Sequence, residues 1–337
     1  MPIDQFFHLF IPHIESELKA AIERANGASL DEFHDMLSYH MGWEGPGAGP
    51  EACGKRIRPM LVLLTAAAAG GDWKSAIPAA SAVELIHNFS LIHDDIEDNS
   101  ELRRGRLTVW KKWGVAQATN AGDALFALAH LEMLRLTESL PPDSVIQALQ
   151  SLDQTCLHLT QGQYLDLSYE RRLDLTEFDY YQMVQGKTSA LLAACTEIGA
   201  IIASAPVEIL RSYQQFGHYL GLAFQAQDDF LGIWGNAALT GKSSDSDLVA
   251  GKKTLPVLYG INRRGAFYDR WLQGPISPQQ APAIAELLTA DGAQESTRHQ
   301  VDRLTEKAIQ ALESAHPQGD AGTALLELAH RLLQRAS

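Results

Sequence analysis

Residues 84–98 read ELIHNFSLIHDDIED, an apolar, helix-forming segment that ends in four acids within five positions: Asp94, Asp95, Glu97 and Asp98. A second acidic pair, Asp228 and Asp229, lies in another apolar segment, FQAQDDFLGIWGN at 224–236. Carboxylates are costly to hold against a core unless a metal or a cation neutralises them. Two such clusters more than a hundred residues apart point to a cavity for divalent metal and for something still more negative.

Around the first cluster the chain reads LIHDDIEDNSELRRGR, 91–106. At about 100° per residue on a helix, Asp94 and Asp98 fall within roughly 40° of each other, with Asp95 beside them. Hard carboxylate oxygens suit Mg²⁺, which takes one or two of them together with waters and phosphate oxygens. Arg103, Arg104 and Arg106 follow, and planar guanidinium groups bind phosphate in a bidentate way. Acid for metal beside base for phosphate is what a diphosphate site needs. This stretch alone reads equally well as a solvated, mixed-charge helix end. The second cluster repeats the arrangement, with Lys242, Lys252 and Lys253 behind it. A third basic knot, GKRIRP at 54–59, stands at an expected helix start, where free backbone N–H groups favour anions. Gly186-Lys187-Thr188 lacks the upstream glycine and preceding strand of a Walker loop, which excludes that role.

Apolar residues recur at helical spacing over about 3–24, 54–69, 78–98, 113–138, 143–168, 176–201 and 206–233, with more towards the C-terminus, and almost no strand alternation is present. Gly/Pro-rich or polar breakers separate them at 42–54, 70–71, 141–142, 235–251 and 274–282. The fold class is therefore all-α. With 337 residues, 46% of them hydrophobic, the chain can bury a substantial core, and no linker divides it cleanly. Cys53, Cys156 and Cys195 form no CxxC pair and no even framework, which fits a reducing compartment and argues against structural zinc. The apolar run around 191–205 is interrupted by Glu197 and is too short to span a bilayer, and the N-terminus lacks a basic leader. The expectation is a soluble, cytoplasmic protein without stable membrane insertion. Forty-one acids against 27 bases give a net charge of −14, which counts against nucleic acid as a partner and leaves diphosphate capture to local cations and metal.

The motifs GKRIRP, ELIHNFSLIHDDIED, LRRGR, GQYLDL, QGKTSAL, FQAQDDFLG and GKKTLP occur in this order over roughly residues 50–260. In this the chain resembles the trans-isoprenyl diphosphate synthases, also called polyprenyl synthetases. Several linked motifs in register are far more specific than any one of them. The resemblance implies a large single-domain helical bundle with the two acidic helices facing across a central cavity. Residues 46–337 would form the synthase domain and 1–45 an N-terminal helical extension. It implies Mg²⁺-dependent head-to-tail condensation of an allylic prenyl diphosphate with isopentenyl diphosphate, with three Mg²⁺ ions per active site, in a homodimer. Asp94, Asp95, Asp98 and Asp228 would hold metal, with Asp229 in support. Arg103, Lys187, Lys242 and Lys252 would meet the allylic diphosphate, while Lys55, Arg58, His87 and Arg104 would form the isopentenyl diphosphate pocket. Thr188, Gln225, Gln163 and Asp166 would orient the cation and the lysines. His87 lies about 20° from Asp94 on the helical wheel, which permits its assignment, although a lone helical histidine is ordinarily a core residue.

Some positions depart from the family pattern. Gly232 stands where a third aspartate is usual, Leu107 and Trp110 stand where proline and histidine are usual, and Asp245 adds a carboxylate. Phe89 and Ser90, five and four residues before Asp94, occupy the positions that often set the floor of the family's product tunnel. One aromatic beside a small neighbour resembles the geranylgeranyl diphosphate synthases. A farnesyl or longer-chain synthase, a class I terpene cyclase and an inactive scaffold subunit are the alternatives. A cyclase would carry an Asn/Asp, Ser/Thr, Glu series after Asp229, which is missing, and would have no use for Lys55, Arg58 and His87.

Overall fold

A computed structural model describes residues 1–235 and 246–333. Backbone contacts divide the chain into two units. The first comprises Met1–Cys156, Ala194–Arg211 and Ala315–Leu325; the second comprises Leu157–Ala193, Ser212–Ser314 and Leu326–Ser337.

Unit 1 is built on α5 (Ile77–Glu97), which packs against α1 (Ile3–Glu23), α4 (Ile57–Ala68) and α7 (Val115–Leu134). Surrounded in this way, α5 buries an unbroken run from Ala79 to Ile86, and beyond it His87, Phe89, Ser90, Leu91, His93 and Asp94 are partly exposed. The stretch 1–45 contributes to the same core. On α1, Ile3, Phe6, Phe10, Ile14, Leu18, Ala21 and Ile22 form one buried stripe at helical spacing, and Phe10 meets the Trp73 ring at 4.7 Å. The Gly/Pro-rich segment expected as linker is largely irregular but holds a one-turn helix, α3 (Pro50–Cys53), after an unforeseen α2 (Asp31–His40). The part of α10 (Ala190–Ile202) that belongs to this unit lies on α4 at Gly199, where a Cβ would come within 2.6 Å of Val62 O.

Among the described residues one pair of short strands interrupts the helices. Leu102–Arg103 (β1) and Arg106–Leu107 (β2) pair antiparallel around Arg104 and Gly105, both at positive φ. Two left-handed central residues suit the right-handed twist of a hairpin. α6 (Val109–Trp113) follows.

Unit 2 takes the second part of α8 (Pro142–Tyr169), α9 (Glu177–Val184) and most of α11 (Val207–Trp234). Further along are α12 (Ser246–Val249), α13 (Leu255–Arg263), α14 (Ala266–Trp271), α15 (Ala281–Ala290) and α16 (Ala293–Ser314). α17 (Gly319–Leu333) closes the described chain. An apolar cluster including Ile233, Leu248, Val257, Ile261, Phe267, Ile284 and Leu288 fixes the end of α11 beside α12, α13 and α15. The helix expected over 176–201 is interrupted by a π turn at Gln185–Ser189. Opposed glycines explain the close packing there: a Cβ on Gly186 would lie 2.6 Å from His158 O and 2.8 Å from Gly162 Cα. No described helix is long and apolar enough to cross a membrane.

Candidate active site

Unit 1 presents its acids at the C-terminal end of α5. Asp95 is buried, and Arg103 on the hairpin grips it: Nε donates to both carboxylate oxygens at 2.9 Å and NH2 lies 2.8 Å from Oδ1. Burial raises the Asp95 pKa and the Arg103 contact opposes that shift. Asp94 is partly exposed, and Asp98 is exposed at the helix C-cap, where its N–H donates to Asp94 O at 2.8 Å. The resemblance gives Asp95 to metal; here its first commitment is to Arg103, and Asp94 and Asp98 are the acids of this end that reach solvent.

Beside that pair lies a cationic pocket. α4 begins at Ile57 with no side-chain cap among the described residues, and a helix start of this kind suits an anion. Gly54, at φ 81°, seats the Arg104 guanidinium, with Arg104 Cζ only 2.8 Å from where a Cβ would stand. Arg104 NH1 then donates to Ala52 O at 2.7 Å. Arg58 is half-buried, its Nε has no hydrogen-bond partner among the described residues, and burial lowers its pKa. His87 is held well below the usual imidazole range by burial, then by Arg58, Arg104 and Arg103. The structure thus brings Arg58, His87, Arg103 and Arg104 together. Lys55 stands exposed at the entrance to α4.

Two other arginines from the basic runs are structural. Arg56 is buried between Glu15 at 2.7 Å and Glu84 at 2.8 Å, tying α1 and α5 to the start of α4. Arg106, expected among the phosphate binders, donates to the carbonyls of Pro46, Tyr39 and Glu44 and stacks 4.0 Å over the Tyr39 ring. Its donors are consumed in fastening the hairpin to the preceding loop. Trp110 anchors the same hairpin by donating to Ser100 O at 2.8 Å, while Leu107 is exposed.

In unit 2 the second acidic pair divides its labour. Asp229 is buried, and its carboxylate accepts from Tyr180 OH at 2.7 Å, Gln225 Nε2 at 2.8 Å and the Leu255 N–H at 2.9 Å. The last contact caps α13, whose N-cap Thr254 makes no side-chain cap of its own. Burial pushes Asp229 up to about 7 even against these three donors. Asp228 is partly exposed on the same helix. The Gly162–Gly186 contact sets Lys187 against Asp166, whose carboxylate accepts from Nζ. Thr188 donates to Gln225 Oε1 at 3.0 Å, linking the π turn to Asp229. Of the two lysines in GKKTLP, Lys253 caps α8 by donating to Glu170 O at 2.6 Å and Tyr169 O at 3.4 Å. Lys252 is exposed, 3.7 Å from Asp247. Lys242 and Asp245 lie outside the described residues.

Phe89 turns towards α7, with its ring 5.2 Å from Phe126 and 4.8 Å from His93, while Ser90 Oγ donates to His87 O at 2.9 Å. Four participants are new to the structure. His40 lines a small pocket with Asp95, Arg103 and Arg104, and its Nε2 is buried without a partner among the described residues. Glu84, an acid inside an apolar helical run, is a signal the sequence did carry; Tyr180 and Asp247 have none.

The sequence pattern of the family described as polyprenyl synthetase matches residues 49–286. The (2E,6E)-farnesyl diphosphate synthase of Mycobacterium tuberculosis is 40% identical over 310 residues, covering 89% of this chain and 85% of that protein. The geranylgeranyl diphosphate synthase of the same organism is 37% identical over 325 residues, covering 93% and 90%. The crystal structure of a polyprenyl synthase from Caulobacter crescentus, complexed with calcium and isoprenyl diphosphate, superposes with a TM-score of 0.82 at 30% identity, covering 99% of this chain and 98% of that one. The all-α fold and the ordered motifs thus have one source: the chain belongs to the polyprenyl synthetase family.

Proposed function

We propose that the protein is a Mg²⁺-dependent prenyltransferase that condenses an allylic prenyl diphosphate with isopentenyl diphosphate, head to tail, into a short all-trans product, geranylgeranyl diphosphate. The observation that carries this is the paired arrangement at the end of α5: an acid–arginine pair, Asp95–Arg103, beside a cluster of Arg58, His87 and Arg104. One half suits metal-bound diphosphate and the other a second diphosphate, and a cyclase would need only the first.

The donor chemistry fits magnesium. Asp94, Asp98 and Asp228, with Asp95 through the lone pairs Arg103 leaves, would hold three ions. A site of few carboxylates is one that phosphate oxygens complete. When bound, the metal neutralises charge on the diphosphate oxygens as a Lewis acid.

Breaking the allylic C–O bond leaves an allylic cation and a departing diphosphate. Arg103, Lys187, Lys242 and Lys252 stabilise the negative charge that grows on that group. Lys55, Arg58, His87 and Arg104 hold isopentenyl diphosphate so that its double bond attacks the cation from a fixed direction. The new C–C bond places the positive charge on the isopentenyl unit, which loses a proton to the released diphosphate. Asp166 aligns Lys187, and Thr188 and Gln225 steady the cation's flank with Gln163. Asp229 is a positioning residue that fixes α11 and the start of α13. Residues 1–45 serve as a packing extension to the synthase domain, 46–337, in a homodimer.

Purified protein with Mg²⁺, an allylic diphosphate and isopentenyl diphosphate, followed by extraction and sizing of the products, tests the assignment. Elongated diphosphates support it. Hydrocarbon formed without isopentenyl diphosphate would identify a cyclase, and absence of turnover a scaffold.

A further inference from the structure

We propose that Asp247 supplies the carboxylate that position 232 lacks, so that Asp228 and Asp247 together are the oxygen donors of the second acidic motif. The inference rests on the metal–diphosphate reading above and concerns which residues of this chain complete it.

Gly232 lies one helical turn beyond Asp228 on α11, so a side chain there would stand next to Asp228 on the same face. That space is filled by another residue. A Cβ built on Gly232 overlaps Asp247 Oδ2 and stands 2.8 Å from Asp247 Cγ and 3.5 Å from its Cβ. Gly232 is therefore a seat for a carboxylate delivered from α12, and any side chain at 232 would displace it.

The seat is held on both sides. Leu248, the next residue, is fully buried in the apolar cluster that contains Ile233 of α11. The Lys252 N–H donates to Asp247 O at 3.0 Å, and Lys252 Nζ lies 3.7 Å from Asp247 Oδ1. The charge of Asp247 is also felt at Asp229, whose pKa it helps to raise. A carboxylate for metal with a cation for phosphate beside it repeats, in unit 2, the pairing that Asp95 and Arg103 make in unit 1.

The test is calorimetric titration of the full chain with inorganic pyrophosphate, with and without Mg²⁺, so that turnover is not the readout. Asp247→Ala should weaken Mg²⁺-dependent pyrophosphate binding by about 10- to 100-fold, the range that follows loss of a group supporting a metal. Asp247→Asn, which keeps the size and removes the charge, gives the same answer should the alanine variant lose its fold. The double variant Gly232→Asp/Asp247→Ala should recover most of the loss, because it returns a carboxylate to the same place without restoring the Lys252 ion pair. Asp247 variants that bind as tightly as the parent, or a double variant no better than Asp247→Ala, would overturn the proposal. A parent protein with no Mg²⁺-dependent binding would instead remove the functional reading beneath it, and the proposal with it.

Discussion

Asp94→Ala removes one of the two solvent-reaching carboxylates at the end of α5 while leaving the Asp95–Arg103 pair intact. Turnover should fall by orders of magnitude with an unchanged thermal midpoint, measured by steady-state kinetics and calorimetry, because a metal ligand is lost and no packing is disturbed. His40 gives a pH prediction. Burial first, then Arg103, Arg104 and Arg56, lower its pKa from 6.5 to about 3. The unfolded chain therefore binds more protons than the fold between these values. Its stabilising contribution is complete above about 6.5 and is lost as the pH falls towards 3. Urea unfolding at pH 7.5 and pH 5 should show stability dropping, and the drop should be smaller in His40→Asn. The acids, Arg103 and Arg104 were legible in sequence because each belongs to a motif. His40 was not, because its partners come from a different helix and from the hairpin.

At the scale of elements, close approach between backbones sets the lysine of the π turn. In Gly186→Ala the new methyl group would meet His158 O and Gly162, and overpacking of this kind costs about 1–3 kcal/mol. A urea midpoint equal to that of the parent would show that the turn can shift to accept it. Phe89 belongs to the contact between α5 and α7, where its ring meets Phe126. Phe89→Ala should open that wall and lengthen the product, and sizing the reaction products by chromatography checks it; an unchanged spectrum places the limit elsewhere. Helix positions agreed closely with apolar periodicity, since long amphipathic segments carry that signal over many turns. The hairpin at 102–107, the α2 helix and the π turn did not register. Strands of two residues, a ten-residue helix and a single extra residue in a turn are too short to establish a period.

For the molecule as a whole, a net charge of −14 repels an anionic substrate at long range, whereas the captors are a few local cations. Raising salt from about 0.01 M to about 0.1 M shortens the screening length from about 30 Å to about 10 Å. The association rate for Mg²⁺-pyrophosphate, followed by stopped flow, should therefore rise; a steep fall would show that attraction by the basic clusters outweighs the field of the whole chain. The sequence by itself determined the all-α class, the family and the residue types of the site, because helical periodicity and ordered motifs are properties of the chain taken in order. Tertiary structure alone decided which charges are engaged. Arg56, Arg106 and Lys253 look like phosphate ligands in sequence, yet buried acids and backbone carbonyls consume them. Asp229 became a helix cap, and Asp247 came to stand over Gly232. Whether a charge is free or satisfied depends on what folding brings within about 3 Å of it, and the order of residues in a chain does not encode that distance locally.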